Sequence, residues 1–226
     1  AVCPEWQGRV MTSTCGGLQG PSFGFINREF IEAGKLNPQF NNYGAEERMW
    51  LSPEGGQFSL WFKPGEPQDL QHWHTAPAMN EGAFEVAAAP TNSQCRMTRR
   101  MQLQNASATT FDLMAARQVR LLAPADLATL FGASAAGAMT ANGVKRVAYE
   151  TVNTITNHGT AMSKARGLVS IWILGMLNAG PQTVIIVPYV PGPESQRGEA
   201  VKSDYFGSVP ADRLKKLADF IDHPLE

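Results

Sequence analysis

Strict alternation of apolar and polar positions is the clearest signal along this chain, and it recurs in short stretches. In "CRMTRRMQLQNASATTFDLMAARQVRLLA" (95–123), Met97, Arg99, Met101 and Leu103 alternate with Arg96, Thr98, Arg100 and Gln102. A period of two places the two sets on opposite faces of a strand. The stretch therefore predicts two or three antiparallel strands with a turn near "NAS". "VKRVAYETVNTITN" (144–157) alternates as cleanly, with Val147, Tyr149, Thr151, Asn153 and Ile155 on one face. "GRVMTSTC" (8–15), "FGFIN" (23–27) and "FEVAAA" (84–89) read as further short strands. "RMWLS" (48–52) and "QFSLWF" (57–62) flank the turn cluster "PEGG" and predict a hairpin. "LVSIWIL" (168–174) and "TVIIVPYV" (183–190) are almost wholly apolar, the pattern of central strands.

Two segments carry the helical period instead. "PADLATLFG" (124–132) has Pro and Asp at its start and Gly at its end. "PADRLKKLADFI" (210–221) places Leu214, Leu217, Phe220 and Ile221 on one side and its charges elsewhere. "SAAGAMTANG" (134–143) is small and loop-like, although its Ala content could prolong the preceding helix. About ten strands with two short helices predict a mainly β, antiparallel sandwich or open barrel. Residues 1–226 carry no repeat, low-complexity tail or linker, so one domain is the simplest organisation.

Charge and composition narrow the function classes. The net charge is −1 and 17 % of residues are charged. The densest basic patch, "RMTRR" (96–100), reads as one face of an exposed strand, which is no nucleic-acid footprint. No apolar run reaches the roughly 20 residues of a membrane-spanning helix. The chain opens "AVCPEW" without Met, as after removal of a leader, which favours a periplasmic or secreted protein. Cys3, Cys15 and Cys95 fit no zinc spacing, and a Cys3–Cys15 bridge would leave one thiol over. "GGLQGPSFG" (16–24) lacks the Lys-Ser/Thr of a phosphate loop and reads as a turn. No cofactor is implied.

The chemical candidates concentrate in "NNYGAEERMWLSPEGGQFSLWFKPGEPQDLQHWHTAPA" (41–78). Glu46, Glu47, Arg48, Glu54 and Gln57 lie close in sequence to Trp50 and Trp73. Aromatic faces beside carboxylate, guanidinium and amide groups suit a sugar ring. The plainer reading makes Trp50 and Trp61 core and the acids surface. His72 and His74 share a strand face but have no local third ligand, so no metal site is expected. In "TITNHGT", Asn157 and His158 end a strand, where a His near neutral pKa suits proton transfer.

"YGAEERMWLSPEGGQFSLWF", "YETVNTITNHG" and "GLVSIWILGM…PQTVIIVPYVPG" resemble a bacterial domain family of uncharacterised function, over most of residues 2–207. The resemblance implies a galactose-mutarotase-like β-supersandwich with a few short helices, a fold shared with aldose 1-epimerases and with many sugar-binding domains. Thr156-Asn157-His158 looks like the triplet that carries a catalytic His in mutarotases, which implies that His158 is a general acid. Glu54-Gly55-Gly56 stands where those enzymes have His-Gly-Gly, with Glu54 in the place of the second His. The late Glu that serves as base there has no counterpart in a convincing strand. Such domains are usually longer, which makes the chain either one β-domain or the N-terminal part of a longer supersandwich. Two functions follow as expectations: acid/base chemistry on a sugar ring by His158 and Glu54, with Glu46, Glu47, Arg48, Trp50, Gln57, Trp73, His74 and Asn157 binding the sugar, or a non-catalytic sugar-binding or structural domain.

Overall fold

A computed structural model describes residues 1–87, 89–141, 143–202, 208–217 and 220–225. The chain forms two compact units, Ala1–Leu177 and Asn178–Glu226.

The first unit is built on a four-stranded antiparallel meander in the order β4 (Glu85–Val86), β5 (Gln94–Gln104), β6 (Thr110–Leu121), β7 (Tyr149–Asn157). Alternation decides its faces as the sequence predicts. Met97, Met101 and Leu103 from β5 and Phe111, Leu113, Ala115 and Val119 from β6 are buried together. The opposite face carries Arg96, Arg100, Gln102 and Gln104, all exposed. Asn105 closes the β5–β6 turn, its Oδ1 accepting from the amides of Ser107 (3.0 Å) and Thr109 (2.9 Å).

Two smaller sheets accompany the meander. β1 (Val2–Cys3) pairs with β2 (Arg9–Val10), and β3 (Arg48–Ser52) pairs antiparallel with β8 (Ser170–Leu174), Trp50 opposite Trp172. Met49, Trp50 and Leu51 join Trp61, Phe84 and the apolar face of β5 and β6 in one core. Four tryptophans meet there: Trp50 lies 4.4 Å from Trp61 between ring centroids and 5.8 Å from Trp172, while Trp61 stacks on Trp73 at 5.1 Å. The helices are short: α1 (Arg28–Ala33), α2 (Pro77–Asn80), α3 (Pro124–Phe131) and α4 (Ala133–Thr140). The second unit holds β9 (Thr183–Pro188), α5 (Glu194–Arg197), a 3-10 turn (Ala211–Arg213), β10 (Lys215–Lys216) and β11 (Phe220–Leu225), its sheet ordered β10-β11-β9.

Several expectations are corrected. The hairpin of 48–52 with 57–62 does not form, because β3 pairs with β8 instead. Residues 57–62 bury Leu60, Trp61 and Phe62 consecutively, as a turn-rich segment inside the core does and a two-faced strand does not. Its backbone is held locally, Ser59 N to Gly56 O (3.0 Å), Leu60 N to Pro53 O (2.9 Å) and Trp61 N to Ser59 Oγ (3.0 Å). "FGFIN" makes only isolated bridges at Gly24 and Ile26. Asn27 then caps the unpredicted α1, accepting from Phe30 N (3.2 Å). Residues 134–143 are mostly helix α4 rather than loop. The helix expected over 210–221 is absent: apart from residues 218–219, which lie outside the described part, the segment is a 3-10 turn and strand, β11 supplying the partner of β9. The two apolar strands are not central either, since among the described residues β8 pairs only with β3 and β9 ends its sheet. All three cysteines are free thiols.

Candidate functional site

Antiparallel register sorts the solvent-facing side of the meander into cross-strand rows. Gln102 of β5 lies opposite Asp112 of β6, and the next row sets Arg100 against Met114 and Thr156. Just past β7, His158 N donates to Asp112 O (2.8 Å), so His158 completes the row of Gln102 and Asp112. The rows beyond are Thr98–Ala116–Thr154 and Arg96–Gln118–Val152. Long strands of alternating sequence thus present one broad polar face, with a histidine at its end.

Arg100 grips Asp112 with both carboxylate oxygens engaged, Nε to Oδ1 at 2.8 Å and Nη2 to Oδ2 at 2.6 Å. Hydrogen bonds from Arg100, its charge, and the nearby His158 hold the Asp112 carboxyl below the usual carboxylate range. Asp112 in turn raises the Arg100 guanidinium. An exposed imidazole therefore stands beside a carboxylate that is fixed and ionised. An open groove of about 570 Å³ adjoins them, lined by Gln102, Gln104, Thr110, Asp112 and Thr160 together with Leu103 and Phe111. A second depression of about 270 Å³ shares Thr110 and Thr160 and reaches Arg166 and Gly167.

Two asparagines fix the backbone around these depressions. Asn157 accepts from Gly159 N (3.0 Å) and donates to Thr160 O (2.9 Å), folding the chain back directly after His158. Asn105 Nδ2 donates to Arg166 O (2.9 Å), tying the β5–β6 turn to the segment that ends at Gly167. Gly167 has φ +101°, and a Cβ there would sit 2.7 Å from Asn105 Nδ2, so only glycine passes.

Other predicted site residues lie elsewhere. Glu47, together with Arg117, Thr151 and Asn153, forms a network on the core-facing side: Arg117 Nη2 donates to Glu47 Oε1 (2.6 Å), Arg117 Nη1 to Asn153 Oδ1 (2.9 Å), and Thr151 Oγ1 to Glu47 Oε2 (3.1 Å). Glu46 accepts from Ser13, its amide at 2.5 Å and its hydroxyl at 2.7 Å. With Glu47 it keeps the half-buried Tyr149 hydroxyl protonated, after burial itself as the larger cause. Asn153 belongs to β7 well before His158, and at about 3.3 Å per residue the two stand far apart on opposite faces. The structure does not bring Glu46 or Glu47 to His158.

Arg48 holds no carboxylate among the described residues. It is 4 % exposed, its guanidinium carbon 3.9 Å from the Trp50 ring centroid and 4.8 Å from that of Phe40. Its Nε and Nη1 have no hydrogen-bond partner. Burial, reinforced by the neighbouring Arg9, pushes it down to about 9. Trp50 is core, as the plainer reading had it. Glu54 Oε1 accepts from Trp73 Nε1 (2.7 Å), and Trp73 stacks on Trp61, so neither lies among the groove's lining. Gln57 is exposed near the β5–β6 turn, its carbonyl accepting from Ser107 Oγ (2.6 Å). His74 Nδ1 meets its own loop at His72 O (3.2 Å), and His72 Nδ1 lies 2.6 Å from Asp69 Oδ1. Among the described residues no three His, Cys, Asp or Glu side chains gather as a metal site, and no helix is long and apolar enough to cross a membrane.

Sequence reasoning named His158 and Asn157 but missed Asp112, Arg100 and Gln102. Their signal was present: all three fall in the polar phase of strands whose other phase is core. Arg117 was legible too, as the one charge in the apolar phase Phe111, Leu113, Ala115, Val119.

No curated protein and no solved structure shows a significant match to this chain. The profile of one family does match, over residues 1–221, and the chain therefore belongs to DUF6786, a family of unknown function.

Proposed function

We propose that this chain is a carbohydrate-recognising β-domain of galactose-mutarotase type, and that the polar face of β5, β6 and β7 around His158 and Asp112 receives the sugar. The observation that carries the reading is the row Gln102–Asp112–His158, with Arg100 clamping Asp112, beside an open groove whose lining joins amide, hydroxyl and carboxylate groups to Leu103 and Phe111. A sugar offers many hydroxyls that both donate and accept. Gln102, Gln104, Thr110 and Thr160 match that chemistry, and Asp112 adds a charge-strengthened acceptor. His158 supplies an imidazole that can donate or accept a hydrogen bond, the kind of group that opening of a sugar ring uses as acid or base. The Thr156-Asn157-His158 triplet supports the same assignment by resemblance. Glu54 is bonded to Trp73, so Asp112 is the carboxylate this reading sets beside His158.

Titration of the protein with neutral monosaccharides, followed by amide chemical shifts, tests recognition. Shifts should cluster at residues 100–112 and 156–160. Interconversion of sugar anomers, followed by polarimetry, tests the chemistry. His158→Ala should lower that rate roughly 10²-fold or more while binding survives. Binding with no interconversion in the parent protein would leave a recognition domain only. Shifts confined to the Glu47 network, or none at any sugar concentration, would remove the reading altogether.

A further inference from the structure

One long edge of the meander carries no strand. β7 ends its sheet, and among the described residues nothing pairs with its outer side. Hydrogen bonds from His158 N to Asp112 O (2.8 Å) and from Leu122 N to Ala148 O (2.9 Å) show that even-numbered positions face β6. In an antiparallel ladder the odd-numbered positions then turn their N–H and C=O outward. These are Tyr149, Thr151, Asn153, Ile155 and Asn157. Natural sheets blunt such edges with Pro, Lys or a bulge. The sequence "YETVNTITN" has neither Pro nor Lys, and its pairing with β6 runs without a bulge over Tyr149–Asn157.

We propose that a second copy of this chain occupies that edge, the two β7 strands pairing antiparallel about Asn153. The strand is self-complementary in that register. The backbone N–H and C=O of both Asn153 residues turn outward and fall at a hydrogen-bonded pair, as the ladder requires. Thr151 lies opposite Ile155 of the second copy, and Tyr149 opposite Asn157. On the solvent-facing side, Val152 lies opposite Thr154, a β-branched pair that covers a valine otherwise 51 % exposed. The single charge of the strand, Glu150, lies opposite Thr156, so no like charges meet. A twofold axis through Asn153 makes the contact close on itself.

The pairing also bears on the site, and this part rests on the proposed function. Glu150 of the second copy comes to stand diagonal to His158 on the same face, at about 7–8 Å between backbones. Arg120 holds Glu150 there through Nε (2.9 Å) and Nη2 (2.8 Å) to Oε1. The second copy thus contributes a carboxylate near His158, in the neighbouring row of Arg100 and Thr156.

Sedimentation equilibrium of the whole chain from about 1 to 100 μM decides the pairing, a range that spans ordinary specific association. A reversible dimer is expected. Val152→Lys with Thr154→Lys sets lysines opposite one another at exposed positions and should weaken it about tenfold or more. Circular dichroism of the double variant should match the parent. Amides of Thr151, Asn153 and Ile155 should exchange more slowly as concentration rises. A monomer throughout the range overturns the proposal, as does a dimer indifferent to the two lysines. Neither result depends on whether any sugar binds. A dimer that binds no sugar would keep the pairing and remove the contribution of Glu150 to a site.

Discussion

Asp112 and Arg100 set what the exposed face can do with a proton. Asp112 is held below the ordinary carboxylate value, first by the hydrogen bonds from Arg100 and then by the charges of Arg100 and His158. A depressed folded pKa means that the pair contributes stability above about pH 4, the unfolded value, and loses it as pH falls through the folded value. Arg100→Gln should therefore raise the Asp112 titration midpoint toward about 3.9, read from its side-chain carboxyl carbon shift. The stability difference between parent and variant should shrink as pH drops below 4. An unchanged midpoint in the variant would mean that the contacts at 2.8 and 2.6 Å do not persist in solution. Arg48 shows the contrast between two arginines of one fold: exposed Arg100 is paired, whereas buried Arg48 rests on the faces of Trp50 and Phe40.

Glu47, just before β3, is joined to β6 and β7 by a polar contact inside an apolar core. The Arg117 side chain is 0 % exposed and that of Glu47 16 %. Removing one partner leaves a buried charge without its counterion, whereas removing both does not. Glu47→Gln should destabilise the fold by about 3 kcal/mol, and the double variant Glu47→Gln, Arg117→Met by clearly less. Denaturant melts of the four proteins in the cycle measure this, and equal losses in the single and double variants would contradict it. At the same scale, β5, β6, β7 and α3 were legible because each is encoded by a local period of two or by caps. The pairing of β3 with β8 was not, because its partners are more than a hundred residues apart and the nearer "PEGG" turn offers a plausible hairpin. The amphipathic spacing at 210–221 misled for a related reason. Strand β9 takes β11 as its partner, and tertiary pairing overrides a weak helical preference. His158 could be named from its motif and strand end, but its neighbours needed the register that sets Asp112 beside it.

For the molecule as a whole, the division at Leu177 separates units of very unequal size, 1–177 and 178–226. Small units bury a smaller fraction of their surface, so less apolar burial offsets the cost of ordering the chain. The main core of the larger unit draws on the apolar alternate positions of β5 and β6, with Leu113 and Ala115 at 0 % exposure. In the smaller unit, β9 leaves Val184, Ile186 and Val187 at 48 %, 61 % and 49 % exposure. Local opening should follow that difference, because protection from exchange tracks the buried contacts an opening must break. Amides of β6, flanked by a strand on each side, should exchange by global unfolding alone. Amides of β9, at the end of a three-stranded sheet, should exchange at least about tenfold faster, which corresponds to about 1.4 kcal/mol of opening free energy. Hydrogen exchange resolved by peptide mass reads both in one experiment. Protection of 183–188 equal to that of 110–121, under conditions where both respond alike to denaturant, would show that the two units unfold as one.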